Sequence, residues 1–156
     1  MKINIIRTST ALLIRPFIKL IPKSSGFVIL TFHNIPHDQM FWFETVIKLI
    51  YEHFEFAKPI DFYNYKDRTN FKKTKILLTF DDGFYSNRVL AEKILKKYDV
   101  KGIFFITEKF IGLNHKESLL FAQDNFYPNS QISDNQSGTY NAMSVEDLRW
   151  LIKNGH

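Results

Sequence analysis

The chain has no cysteine among its 156 residues. Disulfides and thiolate metal ligands are therefore excluded, and any metal must be held by histidine and carboxylate. Long apolar runs are also missing from the N-terminal stretch. Its longest, Ala11-Leu12-Leu13-Ile14, falls far short of the roughly 20 residues a spanning helix needs. A cleaved leader fits poorly, because Arg15 and Lys19 interrupt the apolar region and no small-residue cleavage site follows. Acidic side chains are absent from residues 1–23, which hold Lys2, Arg7, Arg15, Lys19 and Lys23. These five cations equal the entire net charge of +5 and leave 16 basic against 16 acidic residues elsewhere. Charge thus gives no reason to expect a nucleic-acid partner. No internal repeat is present.

What the chain does have is apolar and aromatic side chains, at 45% and 16%, including 16 Phe. That is enough to build a core, so disorder is not expected. Residues 1–25 form a basic amphipathic segment, and residues 26–156 form a domain. On a helical wheel Arg7, Arg15, Lys19 and Lys23 share one face, while Ile3, Ile6, Leu13, Ile14, Phe17 and Ile21 share the other. Two readings stand side by side. One is an interfacial helix making peripheral contact with an anionic membrane through residues 1–23. The other is a helix packed on the domain with its cations in water. The expected location is cytoplasmic or membrane-peripheral.

A short apolar run over 27–32 predicts a buried strand, ended by the loop His33-Asn34-Ile35-Pro36-His37. Phe43, Val46, Ile47, Ile50 and Phe54 recur at helical spacing and predict a helix over 40–54. Residues 55–73 read as short extended pieces and a loop. A second strand is expected over 75–81, a helix over 86–98 and a third strand over 102–107. Strand, helix and strand at this spacing imply a parallel sheet. Residues 108–143 lose periodicity and read as a long loop. Ser144 with Asp147 three residues on is a capping-box pattern opening a last helix, which Asn154-Gly155 stops.

The informative stretch is Ile76-Leu77-Leu78-Thr79-Phe80-Asp81-Asp82-Gly83. An apolar strand runs straight into two carboxylates and a glycine. Strand alternation puts Thr79 and Asp81 on one side, and Gly83 permits a sharp turn. Both acids can then converge at the C-terminal end of a parallel strand, where α/β folds place their active sites. Two neighbouring acids can divide labour, one holding a metal and one acting as base. Taken alone, Asp-Asp-Gly is also an ordinary turn string, with Asp82 capping the next helix. An aspartate-nucleophile phosphatase is disfavoured, because that chemistry wants two acids one residue apart on the same side.

The sequence TFDDG at 79–83 closely resembles the first motif of the polysaccharide deacetylase (NodB-homology) family. Leu30-Thr31-Phe32-His33 resembles that family's first strand. LAEKILKKYDVKGIFFIT at 90–107 resembles the helix and strand after the motif, and MSVEDLRWLIKNGH at 143–156 the helix leading to its second motif. The resemblance implies a partial, distorted (β/α) barrel with parallel strands. It implies hydrolysis of N-acetyl, sometimes O-acetyl, groups on an acetylated glycan substrate. By position Asp81 matches the general base and Asp82 the metal-binding carboxylate. The metal would be divalent, zinc in the first instance, activating the attacking water. A backbone N–H after the motif would help hold the oxyanion. His33 and Gly83 are candidates for substrate or supporting contacts. Tyr85 is a further candidate, although an ordinary surface aromatic is the simpler reading.

The sequence departs from the family where the second motif, H-[ST]-x-x-H, would follow Gly155-His156. Its two histidine ligands are expected beyond residue 156. A zinc site usually takes about three protein ligands, and this chain offers Asp82 from the family set. The expectation is therefore the N-terminal half of a deacetylase, inactive by itself. The alternative is a non-catalytic remnant that binds a partner or a membrane. A composition rich in Ile, Lys, Asn and Phe suits an AT-rich bacterial genome.

Overall fold

The computed structural model describes residues 26–63, 74–132 and 138–156. The membrane-facing reading of residues 1–23 and the polar run at 64–70 fall outside them. Strand β1 (Gly26–Phe32) lies parallel to β3 (Thr74–Phe80), with Phe32 opposite Phe80. On the other side of β3 sit two shorter parallel strands. β2 (Glu55–Phe56) pairs with its N-terminal half, and β4 (Gly102–Phe104) with its C-terminal half. β3 is thus the central strand. It is flanked on both edges and covered on both faces, which is why its centre, Ile76-Leu77-Leu78, is an unbroken apolar run.

Helix α1 (Met40–His53) follows β1 after one 3₁₀ turn at His37–Gln39. A short α2 (Pro59–Tyr63) follows β2. Helix α3 begins at Tyr85–Leu90, continues through a π segment at Ala91–Leu95 and closes in a 3₁₀ turn at Lys96–Tyr98. Asp99, with φ of 50°, ends it in the left-handed region. Helices α4 (His115–Asn125) and α5 (Val145–Lys153) complete the described chain.

Strand alternation sorts the sheet into two faces. Leu30, Phe32, Ile76, Leu78 and Phe80 point toward the helices. There they meet Phe43, Val46, Ile47 and Ile50 of α1 and Leu90, Ile94 and Leu95 of α3 in the main core. The Phe80 ring is its hub, 4.7 Å from Phe104, 5.7 Å from Phe32 and 6.1 Å from Phe43. Gly102 is required beside it, since a Cβ there would lie 2.8 Å from that ring. The opposite face carries Ile29, Thr31, Leu77 and Thr79, with Ile29 and Thr31 exposed on the β1 side.

The expected strands and helices are present, with three differences. Within 55–73, read as short extended pieces and a loop, Pro59–Tyr63 forms the short helix α2. The third strand is shorter than 102–107: residues 102–104 pair with β3, and a single further bond, from the Phe105 N–H, ends the pairing. The stretch 108–143 is not a long loop. It holds a 3₁₀ turn at Glu108–Phe110 and all of α4, and it packs a second core of Phe84, Phe110 and Ala122 under Phe121, Phe126, Tyr127 and Tyr140. Helix α4 buries Ser118 and Ala122 instead of a stripe of large residues, so it carries almost no hydrophobic period. Its start was nevertheless written locally. Asn114 accepts from the Glu117 N–H and Glu117 accepts from the Asn114 N–H, a complete capping box. Ser144 and Asp147 form the second one as expected.

Candidate active site

The two carboxylates sit on the turn that leaves β3. The Asp81 N–H donates to the Phe32 carbonyl at 2.8 Å, which extends the β1–β3 ladder by one step beyond Phe80. The backbone then reverses. Asp82 has φ of 78° and Gly83 φ of 98°, two successive residues in the left-handed region. Glycine is required at 83 because a Cβ would also lie 2.9 Å from the Ile111 side chain. Asp82 has no such freedom, so its conformation carries strain that the surroundings must hold.

They do so from three directions. Thr107 N–H donates to the Asp82 carbonyl at 3.2 Å, and Met143 N–H donates to the Gly83 carbonyl at 2.9 Å. Tyr85 N–H donates to the Asn141 carbonyl at 2.8 Å, and Phe84 bridges to Ala142 across the same short antiparallel contact. Phe84 is fully buried, its ring 5.1 Å from Phe110 and 5.4 Å from Phe126. The residue after the carboxylate turn is therefore the anchor of the second core.

His33 closes the site. It follows β1 directly, so the β1–β3 register places it beside Asp81. Its Nδ1 lies 2.9 Å from Asp82 Oδ2, and its Nε2 lies 4.0 Å from Asp81 Oδ2. With Asp82 ionised, Nδ1 carries the hydrogen and donates. The His33 side chain is 62% exposed, against 31% for Asp81 and 16% for Asp82. The imidazole faces solvent at the mouth while the carboxylates sit lower. The loop after His33 is pinned by Asn34. Ser86 Oγ donates to Asn34 Oδ1 at 2.7 Å, and Asn34 Nδ2 donates to the Thr139 carbonyl at 2.9 Å.

Asp81, Asp82, Gly83 and His33 are thus brought together. Tyr85 is 42% exposed at the start of α3, and its backbone is engaged in gripping the turn. Asn141, Met143 and Phe84 were not singled out from the sequence, since a backbone clamp and an aromatic anchor leave no local motif.

The described residues do not complete a metal site by themselves. Among the described residues no group of three or more His, Cys, Asp or Glu side chains is gathered to hold one. The His33 nitrogen nearest Asp82 is committed to that carboxylate.

Fold and site together define a class of protein: a parallel α/β domain with a carboxylate pair on the turn after its central strand. Residues 68–144 match the family model for polysaccharide deacetylase. No curated protein matches it by sequence. Among solved structures, "Structure of IcaB from Ammonifex degensii" shares the fold with a TM-score of 0.62 at 19% identity, over 85% of this chain. The chain spans about half of that structure's chain, 51%. The architecture is accordingly a partial (β/α) barrel of the deacetylase type, its parallel sheet open instead of closed. No helix among the described residues is long and apolar enough to cross a membrane.

Proposed function

We propose that this chain carries the carboxylate half of a hydrolase site that removes acetyl groups, N-linked or O-linked, from a glycan. The observation supporting it is the triad of His33, Asp81 and Asp82 at the C-terminal end of a parallel sheet. Asp81 is the general base. It is partly exposed, so water can reach it, and an ionised carboxylate can take that water's proton. Asp82 is the metal-binding carboxylate of the complete site, with the remaining ligands supplied by residues other than those described. His33 holds Asp82 in place and keeps Nε2 toward Asp81, so the acceptor of the proton has a cation-forming neighbour. Among the described residues no further side chains gather with Asp82 to complete that site.

The 156-residue chain alone is accordingly expected to release no acetate from N-acetylated chito-oligosaccharides, even with added zinc. Metal-dependent release that disappears in Asp82→Ala would overturn that expectation. In a longer polypeptide joining this chain to histidine ligands, Asp81→Asn should abolish turnover and leave metal content unchanged. Asp82→Ala should lose the metal. Full turnover by the Asp81→Asn protein would remove Asp81 from its role as base. The same pair of measurements separates the enzyme from a non-catalytic remnant, which would release no acetate in any form.

A further inference from the structure

The sheet register places a third side chain in the row formed by His33 and Asp81. β4 pairs with β3 so that Phe104 lies opposite Phe80. The Phe105 N–H donates to the Phe80 carbonyl at 2.8 Å, which carries the ladder one residue further and sets Phe105 beside Asp81. The Phe104 ring stacks on Phe80 at 4.7 Å, and Ile106 also packs with the main core, so both point toward the helices. The residue between them must point the other way, to the face that carries Thr79 and Asp81. Phe105 does so and is 56% exposed, although phenylalanine gains most from burial. An imidazole therefore flanks the carboxylate of Asp81 on one side and an open aromatic ring on the other.

We propose that Phe105 is a substrate-contacting residue whose ring stacks on the apolar C–H face of the acylated sugar presented to Asp81. This rests on the glycan deacetylase reading above. A pyranose ring offers an apolar face and a polar rim. The row matches both, with an aromatic surface at 105 and hydrogen-bonding groups at 81 and 33. Binding sites for small polar ligands commonly combine an apolar wall with a few convergent polar groups. The strand pairing fixes the order across the row. Tyr85, by contrast, belongs to the helix after the turn.

The test is calorimetric titration of the 156-residue chain with an N-acetylated β-1,4-linked glucosamine tetramer, alongside thermal melts. Wild type should bind. Phe105→Ala should bind about five- to tenfold more weakly, as expected for loss of one aromatic contact, and Phe105→Tyr should bind like wild type. All three should melt together, because an exposed ring adds little to the fold. Equal binding by Phe105→Ala and wild type would overturn the role of Phe105 and leave the glycan reading standing. So would a clear drop in melting temperature for Phe105→Ala, which would make the ring a packing element. Absence of binding by a folded wild-type chain would instead count against the glycan reading itself, and the role of Phe105 would fall with it.

Discussion

The molecule has two cores, and they are built on different principles. The main core is laid out by period. Alternate residues of β1 and β3 meet the helical stripes of α1 and α3, with Phe80 at the centre. The second core has no period. It collects Phe84, Phe110, Phe121, Phe126, Tyr127 and Tyr140 from turns, one helix and a loop. Yet only three residues separate Phe80 from Phe84, and they are the turn that carries the two carboxylates. The main core thus holds the strand that delivers Asp81. The second core holds the turn that orients Asp82. The carboxylate turn, sited at the seam of two cores, is braced from both sides, as its two left-handed residues require.

The largest test of this division is a matched pair of truncations. Phe80→Ala should cost about 4–5 kcal/mol and lower the protection of the whole sheet in hydrogen exchange. Phe84→Ala should cost about 3–4 kcal/mol, with exchange rising at 108–132 and 138–143 while β1 and β3 stay protected. If Phe84→Ala opened β1 and β3 equally, the two cores would be a single cooperative unit.

A smaller effect comes from a titratable ring at the edge of the main core. The His156 Nδ1 accepts from the Gly102 N–H at 3.2 Å, and its ring lies edge-on to Phe104. Burial, with the cations Lys101 and Arg88 adding to it, lowers its pKa from 6.5 to about 4. On acidification the unfolded chain therefore binds the proton first. Stability from this residue is fully present above about pH 6.5 and falls as pH drops toward 4. Denaturation followed from pH 7 to 4 should show that slope. His156→Asn, which keeps an acceptor for the Gly102 N–H but does not titrate, should flatten it. An unchanged slope in that variant would assign the acid sensitivity to other groups.

The smallest effect isolates the turn. Asp82→Gly and Asp82→Ala both lose the carboxylate and its contact with His33. Only alanine keeps a Cβ at φ of 78°. The glycine variant should be more stable by about 1 kcal/mol in chemical denaturation. Equal stabilities would mean that the seam imposes no backbone strain, and that Asp82 sits there without cost.

The sequence by itself determined the periodic half of this protein. The strand over 75–81, the helices of 40–54 and 86–98, the Ser144 capping box and the carboxylate pair at the end of an apolar strand are patterns within a few residues of one another. Each reports a local backbone preference or one buried face, so it can be read without knowing what lies opposite. Even the family resemblance rests on such strings. The tertiary structure alone decided three things. Parallel pairing set His33 against Asp82, which follows it by 49 residues, because strand register is a relation between distant segments. The same pairing placed Phe105 next to Asp81 on the far side. An aromatic cluster assembled around Phe84 turned an unpatterned stretch into the clamp of the reactive turn. Rings from turns and loops pack in any order the space allows, so they leave no period for a sequence to display.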